Sequence, residues 1–236
     1  LLSSLIGSAA FALANEMYGA SNERELRDKI YGVRSAISDV EFGCIIEALS
    51  EFEDPVYVEI GVYFGGTFAK VIDHLASRSS MFKAIGVDLF ESIVDDDVFS
   101  VQTHELVNKW NMLNVAIHSE LEAKLVSLGY KNFSLLMGRS DELVRALPDV
   151  IDVAFIDGNH TYEQTMKDFR AVYDRSRPGT HIVFDNASNT EVHDQRYVIA
   201  DGGPWKVCAD ACSRFRNVVH VKSARSAQVL KVIDSD

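Results

Sequence analysis

The sequence predicts an α/β protein, built on a seven-stranded, mostly parallel sheet with one antiparallel edge hairpin and with helices on both faces. Two observations predict it. Short apolar runs alternate with stretches of helical period from residue 56 to residue 215. Alternation of this kind means parallel strands joined by crossover helices. The last two runs, 218–221 and 227–232, lie too close for a crossover and must pair antiparallel.

The elements follow in order. Ser38-Asp39-Val40-Glu41 caps a helix running to about residue 52, with Phe42, Ile45, Ile46 and Leu49 as its apolar face. Asp54-Pro55 stops it. Residues 56–60 are the first strand and 67–75 a helix. Residues 84–88 are the second strand, and 103–128 are helical with a break near 111–114. Residues 133–137 form the third strand, and 141–147 a short helix closed by Pro148. The fourth strand spans 151–156, a helix 162–175 and the fifth strand 181–184; a long polar loop then leads to a helix over 206–215. No internal repeat or low-complexity tract interrupts this pattern.

Composition narrows the class. At roughly 150 residues per domain, 236 residues allow one large domain or two small ones. Hydrophobic residues at 47% and charged residues at 25% are globular values, which excludes a disordered or collagen-like chain. The net charge of −12 disfavours binding to nucleic acid, whose phosphates need a basic surface. Three cysteines are too few for a disulfide framework and suit a reducing cytosol, so the expected location is cytoplasmic, with no membrane partner. Cys208 and Cys212 share a helix face at best, a weak metal signal without further ligands. Residues 1–14 are apolar and small. They lack a basic flank and are too short to span a bilayer, so they read as an amphipathic helix rather than a targeting segment. The expected organisation is a helical extension over residues 1–37 and a catalytic domain over 38–236, with a homodimer as the expected assembly.

In an open α/β sheet, ligands bind at the carboxyl ends of the strands, so polar residues just after strands are the informative ones. Glu59-Ile60-Gly61-Val62-Tyr63-Phe64-Gly65-Gly66-Thr67 leaves the first strand and opens a helix; its glycines permit a tight turn and close approach of a ligand to backbone N–H groups. It lacks both the GxGxxG spacing of a dinucleotide site and the GK[ST] of a P-loop. Asp88 ends the second strand, where a carboxylate accepts the hydroxyl hydrogens of a ribose. Together they favour a nucleoside without a pyrophosphate. Gly138-Arg139-Ser140-Asp141 follows the third strand and offers polar atoms to an adenine edge, or a helix cap by Ser140. Asp157 and Asp185 end neighbouring buried strands and are followed by Gly158-Asn159-His160 and Asn186. Two close carboxylates need a proton or a cation between them. Oxygen ligands from Asp157, Asp185 and Asn186 suit Mg²⁺, the alternative being two independent helix-capping acids.

Taken together these residues resemble the S-adenosylmethionine-dependent methyltransferases, over residues 38–232. The nearest branch is methyltransferase family 24, similar to macrocin-type sugar O-methyltransferases and to catechol O-methyltransferases. IDGNHTYEQTMKDF followed by RPGTHIVFDN carries the resemblance. It implies a Rossmann-like class I methyltransferase fold, S-adenosylmethionine as cofactor, and Mg²⁺ held by Asp157, Asp185 and Asn186. It places Glu59, Gly61, Gly65, Thr67, Asp88, Ser140 and Asp157 around the cofactor, with Asp88 on the ribose and Ser140 near the adenine. It makes Asp157 and His160 the catalytic pair, His160 lying three residues after the first metal Asp, where the catechol branch has its base. The implied acceptor is a hydroxyl of a small molecule: a sugar, a natural product or a catechol-like diol. Arg139 departs from the family's usual Asp, Thr180 replaces the second Gly of PGG, and Asn186 replaces the second Asp of DD. The loop 187–204, with His193 as a second base, reads as a substrate lid. The rival readings are a metal-independent methyltransferase with a His base and a binding protein that keeps the fold without catalysis.

Overall fold

The computed structural model describes residues 37–63, 65–90, 118–119, 121–188 and 203–235. The expected extension over 1–37 lies outside them but for Ile37, and so does most of the helix expected over 103–128 and of the loop expected as a lid, with His193.

The first helix, α1 (Asp39–Ser50), begins with the capping box its sequence predicts. Ser38 accepts from the Glu41 N–H, and the Glu41 side chain accepts from the Ser38 N–H. The chain then alternates as expected: β1 (Val56–Ile60), α2 (Gly66–Arg78), β2 (Lys83–Asp88), a helical stretch over 121–127, β3 (Phe133–Met137), β4 (Ile151–Ile156), α3 (Tyr162–Tyr173), β5 (Ser176–Phe184), α4 (Gly203–Arg214), β6 (Val218–Ala224) and β7 (Ala227–Val232). Among the described residues the strands form one seven-stranded sheet in the order β3-β2-β1-β4-β5-β7-β6. All neighbouring pairs from β3 to β5 are parallel, while β7 runs antiparallel to both β5 and β6.

Helices cover both faces, so the central strands are apolar on both sides and every residue of β4 is buried. Tyr57, Val153, Phe155 and Val183 face α1 and α2, packing with Ile45, Leu49, Phe68 and Ile72. Val58, Ile60, Ala154, Ile156 and Phe184 face the other way, packing with Phe169, Val172 and Val207 of α3 and α4.

Several bounds shift by up to three residues: α2 ends at Arg78, α4 begins at Gly203 and β6 runs on to Ala224. Two further elements differ for local reasons. Residues 141–147 contain only a 3₁₀ turn, Leu143–Ala146, because Pro148 leaves too little chain for an α-helical ladder. Strand β5 starts at Ser176 rather than 181. Thr180 takes the Arg177 N–H on its hydroxyl oxygen and donates that hydroxyl to the Ile151 carbonyl, holding the Arg-Pro-Gly stretch against β4 through an irregular register. No helix among the described residues is long and apolar enough to cross a membrane.

Candidate active site

The register of the sheet builds the site. Ile60 lies beside Val87 and Ile156, and Ile156 beside Phe184. The next residue of each strand is therefore Gly61, Asp88, Asp157 or Asp185, one row across the carboxyl rim. Backbone bonds carry the row one step past the strands: Gly61 N–H to the Val87 carbonyl (2.8 Å), Asp157 N–H to Ile60 (2.8 Å) and Asp185 N–H to Ile156 (3.1 Å). The strand order reverses between β1 and β4, the switch point where such sheets open a crevice.

On the β1–β2 side the backbone sets the geometry. Gly61 has φ +90°, and a Cβ there would lie 2.1 Å from the Asp157 carbonyl oxygen, so only glycine lets the β1 turn pass the β4 turn. Gly65, at φ +80°, meets Leu121 of the helical stretch at 2.3 Å in the same test, and it is the N-cap of α2. Both glycines thus serve chain packing as well as the loop. Asp88 accepts from the Tyr63 N–H on one oxygen (2.7 Å) and from the Phe90 N–H on the other (2.9 Å). Its carboxylate is aimed by backbone and keeps lone pairs for hydroxyl donors. Thr67 lies buried in the first turn of α2. Glu59 is buried two residues before Gly61 of the rim and accepts from the Tyr57 hydroxyl at 2.6 Å. Burial raises its carboxyl well above the ordinary range, and the charges of Asp157 and Asp88 add to this.

The β4–β5 side is electrostatic. His160 Nε2 lies 3.1 Å from Asp157 Oδ1. Burial lowers the His160 pKa, but the hydrogen bond to Asp157 and the charges of Asp157 and Asp185 outweigh it and hold the imidazole above its usual value. With Nε2–H donating to Asp157, Nδ1 is the nitrogen left to take a proton. Burial raises Asp157 despite His160, and Asp185 is pushed up to about 7, first by burial and then by the charge of Asp157. Asn186 has φ +49°, and its amide nitrogen is 3.4 Å from Asp185 Oδ2.

Those raised carboxylates test whether the rim suits a cation. Two buried carboxylates with His160 beside one of them are oxygen donors of the kind a hard divalent ion takes, whereas Asn186 turns its amide nitrogen toward Asp185 and would have to flip its amide to join them. No group of three His, Cys, Asp or Glu converges as a metal cluster among the described residues. A cation at Asp157 and Asp185 would thus take further donors from Asn186, water or a substrate.

Ser140 turns inward. Its hydroxyl donates to Asp168 of α3, and Gln164 Nε2 donates to the same Asp168 oxygen at 2.8 Å. Arg139 bonds Gln164 Oε1 (2.9 Å) and Asp141 (3.1 Å), so the loop after β3 is tied to α3. Asp168 is raised to about 6, chiefly by burial. Sequence reasoning missed Asp168, although it lies within the quoted motif. Glu41 and Ser226 were missed as contacts of the rim: the Ser226 hydroxyl is 3.0 Å from Asp185 Oδ1 and also bonds Glu41. Only the capping box around Glu41 was a readable signal.

Comparison with known proteins places this geometry. The profile of a family described as a methyltransferase domain matches residues 58–187, more than half of the chain. An uncharacterized protein of Acanthamoeba polyphaga mimivirus is 26% identical over 136 residues, 58% of this chain and 53% of that protein. The chain thus spans about half the length of this curated relative. The solved structure of the O-methyltransferase TomG from Streptomyces achromogenes superposes with a TM-score of 0.57 at 14% identity, covering 88% of this chain and 86% of TomG. The S-adenosylhomocysteine-bound methyltransferase PaMTH1 of Podospora anserina superposes at 0.60 with 12% identity, over 96% and 95%. The calicheamicin methyltransferase CalS11 does so at 0.57 with 15% identity, over 95% and 91%. At these identities the likeness is one of fold.

Proposed function

The chain belongs to the methyltransferase domain family, and we propose that it transfers the methyl group of S-adenosylmethionine to a hydroxyl oxygen of a small molecule, assisted by Mg²⁺ at Asp157, Asp185 and Asn186. The observation that carries this reading is the row of Gly61, Asp88, Asp157 and Asp185 at the carboxyl ends of four adjacent strands. Solved proteins of like fold described as O-methyltransferases support a hydroxyl acceptor. The net charge of −12 supports a small molecule over nucleic acid.

When bound, S-adenosylmethionine supplies an electrophilic sulfonium methyl and Mg²⁺ supplies Lewis acidity toward the acceptor hydroxyl. The chain's own residues do the rest. Asp88, aimed by the Tyr63 and Phe90 N–H groups, accepts from the ribose hydroxyls. Glu59 and the Gly61–Gly65 turn line the methionine side. Asp157, Asp185 and Asn186 would hold the cation. His160 takes the acceptor's hydroxyl proton at Nδ1, and Asp157 steadies the resulting imidazolium through Nε2.

One observation favours a second reading. The His160–Asp157 pair is already formed at 3.1 Å, so His160 could act as base without a cation. Calorimetric titration with S-adenosylmethionine and S-adenosylhomocysteine, followed by methyl transfer to a panel of diols with Mg²⁺ or EDTA, separates the readings. We expect nucleoside binding, and transfer abolished by EDTA and by Asp185→Ala. Transfer indifferent to both would move the reaction to His160 alone. Absence of nucleoside binding would overturn the methyl-transfer reading and leave a binding protein of this fold.

A further inference from the structure

Asp185 and Asn186 end β5 in a turn, and one residue from elsewhere in the chain grips both ends of that turn. The Ser226 hydroxyl is 3.0 Å from Asp185 Oδ1, and the Ser226 carbonyl accepts from the Ala187 N–H at 2.8 Å. Asn186 lies between these two anchors in a left-handed conformation that non-glycine residues seldom adopt. The next strand adds a third tie, Gln228 Nε2 to the Ala187 carbonyl at 2.7 Å.

Ser226 is itself held. Its N–H donates to Glu41 Oε1 at 3.2 Å, and its hydroxyl is also within reach of that oxygen. Glu41 is buried and takes the Ser38 N–H (2.8 Å) and hydroxyl (2.6 Å) on its other oxygen. These bonds hold the carboxyl below its ordinary value although burial opposes them. The hydroxyl has one hydrogen to give, so it serves Glu41 or Asp185 at a time. With the Ser226 N–H held by Glu41, the hydroxyl can turn to Asp185, and a chain of bonds then runs from the cap of α1 through Glu41 and Ser226 to Asp185. Ser38 and Glu41 pair locally, whereas Ser226 and Asp185 meet that cap only in the folded protein.

We propose that Ser226, oriented by Glu41, is a positioning residue that sets the direction of the Asp185 carboxylate and the fold of the Asp185–Ala187 turn for cation binding. The proposal rests on the cation reading above. Carboxylate ligands of metals are commonly oriented by such outer hydrogen bonds, and their loss weakens metal affinity by about 10- to 100-fold. Ser226→Ala removes the hydroxyl and leaves the backbone bonds to Ala187 and Glu41 intact. Ser226→Thr restores the hydroxyl.

The test is Mn²⁺ binding to the whole chain, read from the free-ion electron paramagnetic resonance signal, beside calorimetric titration of S-adenosylhomocysteine. We expect Ser226→Ala to weaken Mn²⁺ by at least about tenfold while leaving nucleoside affinity unchanged, and Ser226→Thr to recover it. Glu41→Gln, which keeps an acceptor and loses the charge, should weaken Mn²⁺ by less. Equal Mn²⁺ affinity in wild type and Ser226→Ala would overturn the positioning role while the cation reading stands. A wild type that binds nucleoside but no Mn²⁺ would overturn both. Parallel loss of nucleoside and Mn²⁺ binding in Ser226→Ala, without recovery by threonine, would reduce Ser226 to a folding role and overturn the proposal.

Discussion

The two ends of the sheet treat buried carboxylates in opposite ways. At the end where β1 and β4 begin, Asp152 is buried and fully matched: one oxygen takes the Val56 N–H at 2.9 Å and the other takes Arg177 at 2.6 Å. At the carboxyl rim, Glu59, Asp168 and Asp185 are held by hydroxyls, amides and backbone N–H groups rather than by Lys or Arg. All three are raised, Asp168 to about 6 and Asp185 to about 7. A folding requirement alone would favour the first arrangement, since an unmatched buried charge is unfavourable. The second is the arrangement of a surface that expects positive charge or hydroxyl donors from a ligand.

The largest expected effect breaks the matched end. Asp152→Ala strands the Val56 N–H and removes the two charge-assisted bonds from Arg177, and should lower unfolding free energy by about 3 kcal/mol, measured by urea denaturation at neutral pH. A change below about 1 kcal/mol would mean that the pair does not organise that end.

The next effect has the opposite sign. The Asp168 carboxyl rises from 3.8 to about 6 on folding, so the folded state prefers the proton. Its favourable contribution is complete below 3.8 and is lost as pH rises through 6. Asp168→Asn keeps an acceptor for Ser140 and Gln164 without the charge. The variant should be more stable than wild type above pH 7, by up to about 3 kcal/mol, with the two converging below about pH 4. Denaturation across that range measures it, and a variant less stable at pH 8 would mean that the charge is matched after all.

The smallest effect sharpens the contrast within the rim. Asp88 is served by two backbone N–H groups, so Asp88→Asn should change stability little yet weaken S-adenosylhomocysteine by about tenfold, the worth of a charge-assisted hydrogen bond. Unchanged affinity would remove Asp88 from the nucleoside site.

Much of the fold was legible because its strands are written as short, mainly apolar runs. β1, β3, β4 and β7 begin and end where those runs do. Asp88, Asp157 and Asp185 were legible as a set because each follows such a run directly. The start of β5 was not, since Arg177, Pro178 and Gly179 carry no apolar run and are held against β4 through Thr180 and Asp152. The inward turn of Ser140 was also hidden. A serine after a strand serves a cap or a ligand equally well, and its partner Asp168 comes from a helix 28 residues later.

The local chemistry of this protein, then, is a property of its sequence: the strands, the capping box at Ser38 and Glu41, and the acids that close three strands follow from near neighbours alone. Strand order and register were decided by the tertiary structure, because side-chain packing between elements distant in sequence selects them. Register turned Gly61, Asp88, Asp157 and Asp185 into one row. The same packing brought Ser226 to Asp185, and Glu41 to Ser226, across separations of 41 and 185 residues. Hydrogen bonds at such range leave no periodicity to read, since they exist only once the sheet has closed around them.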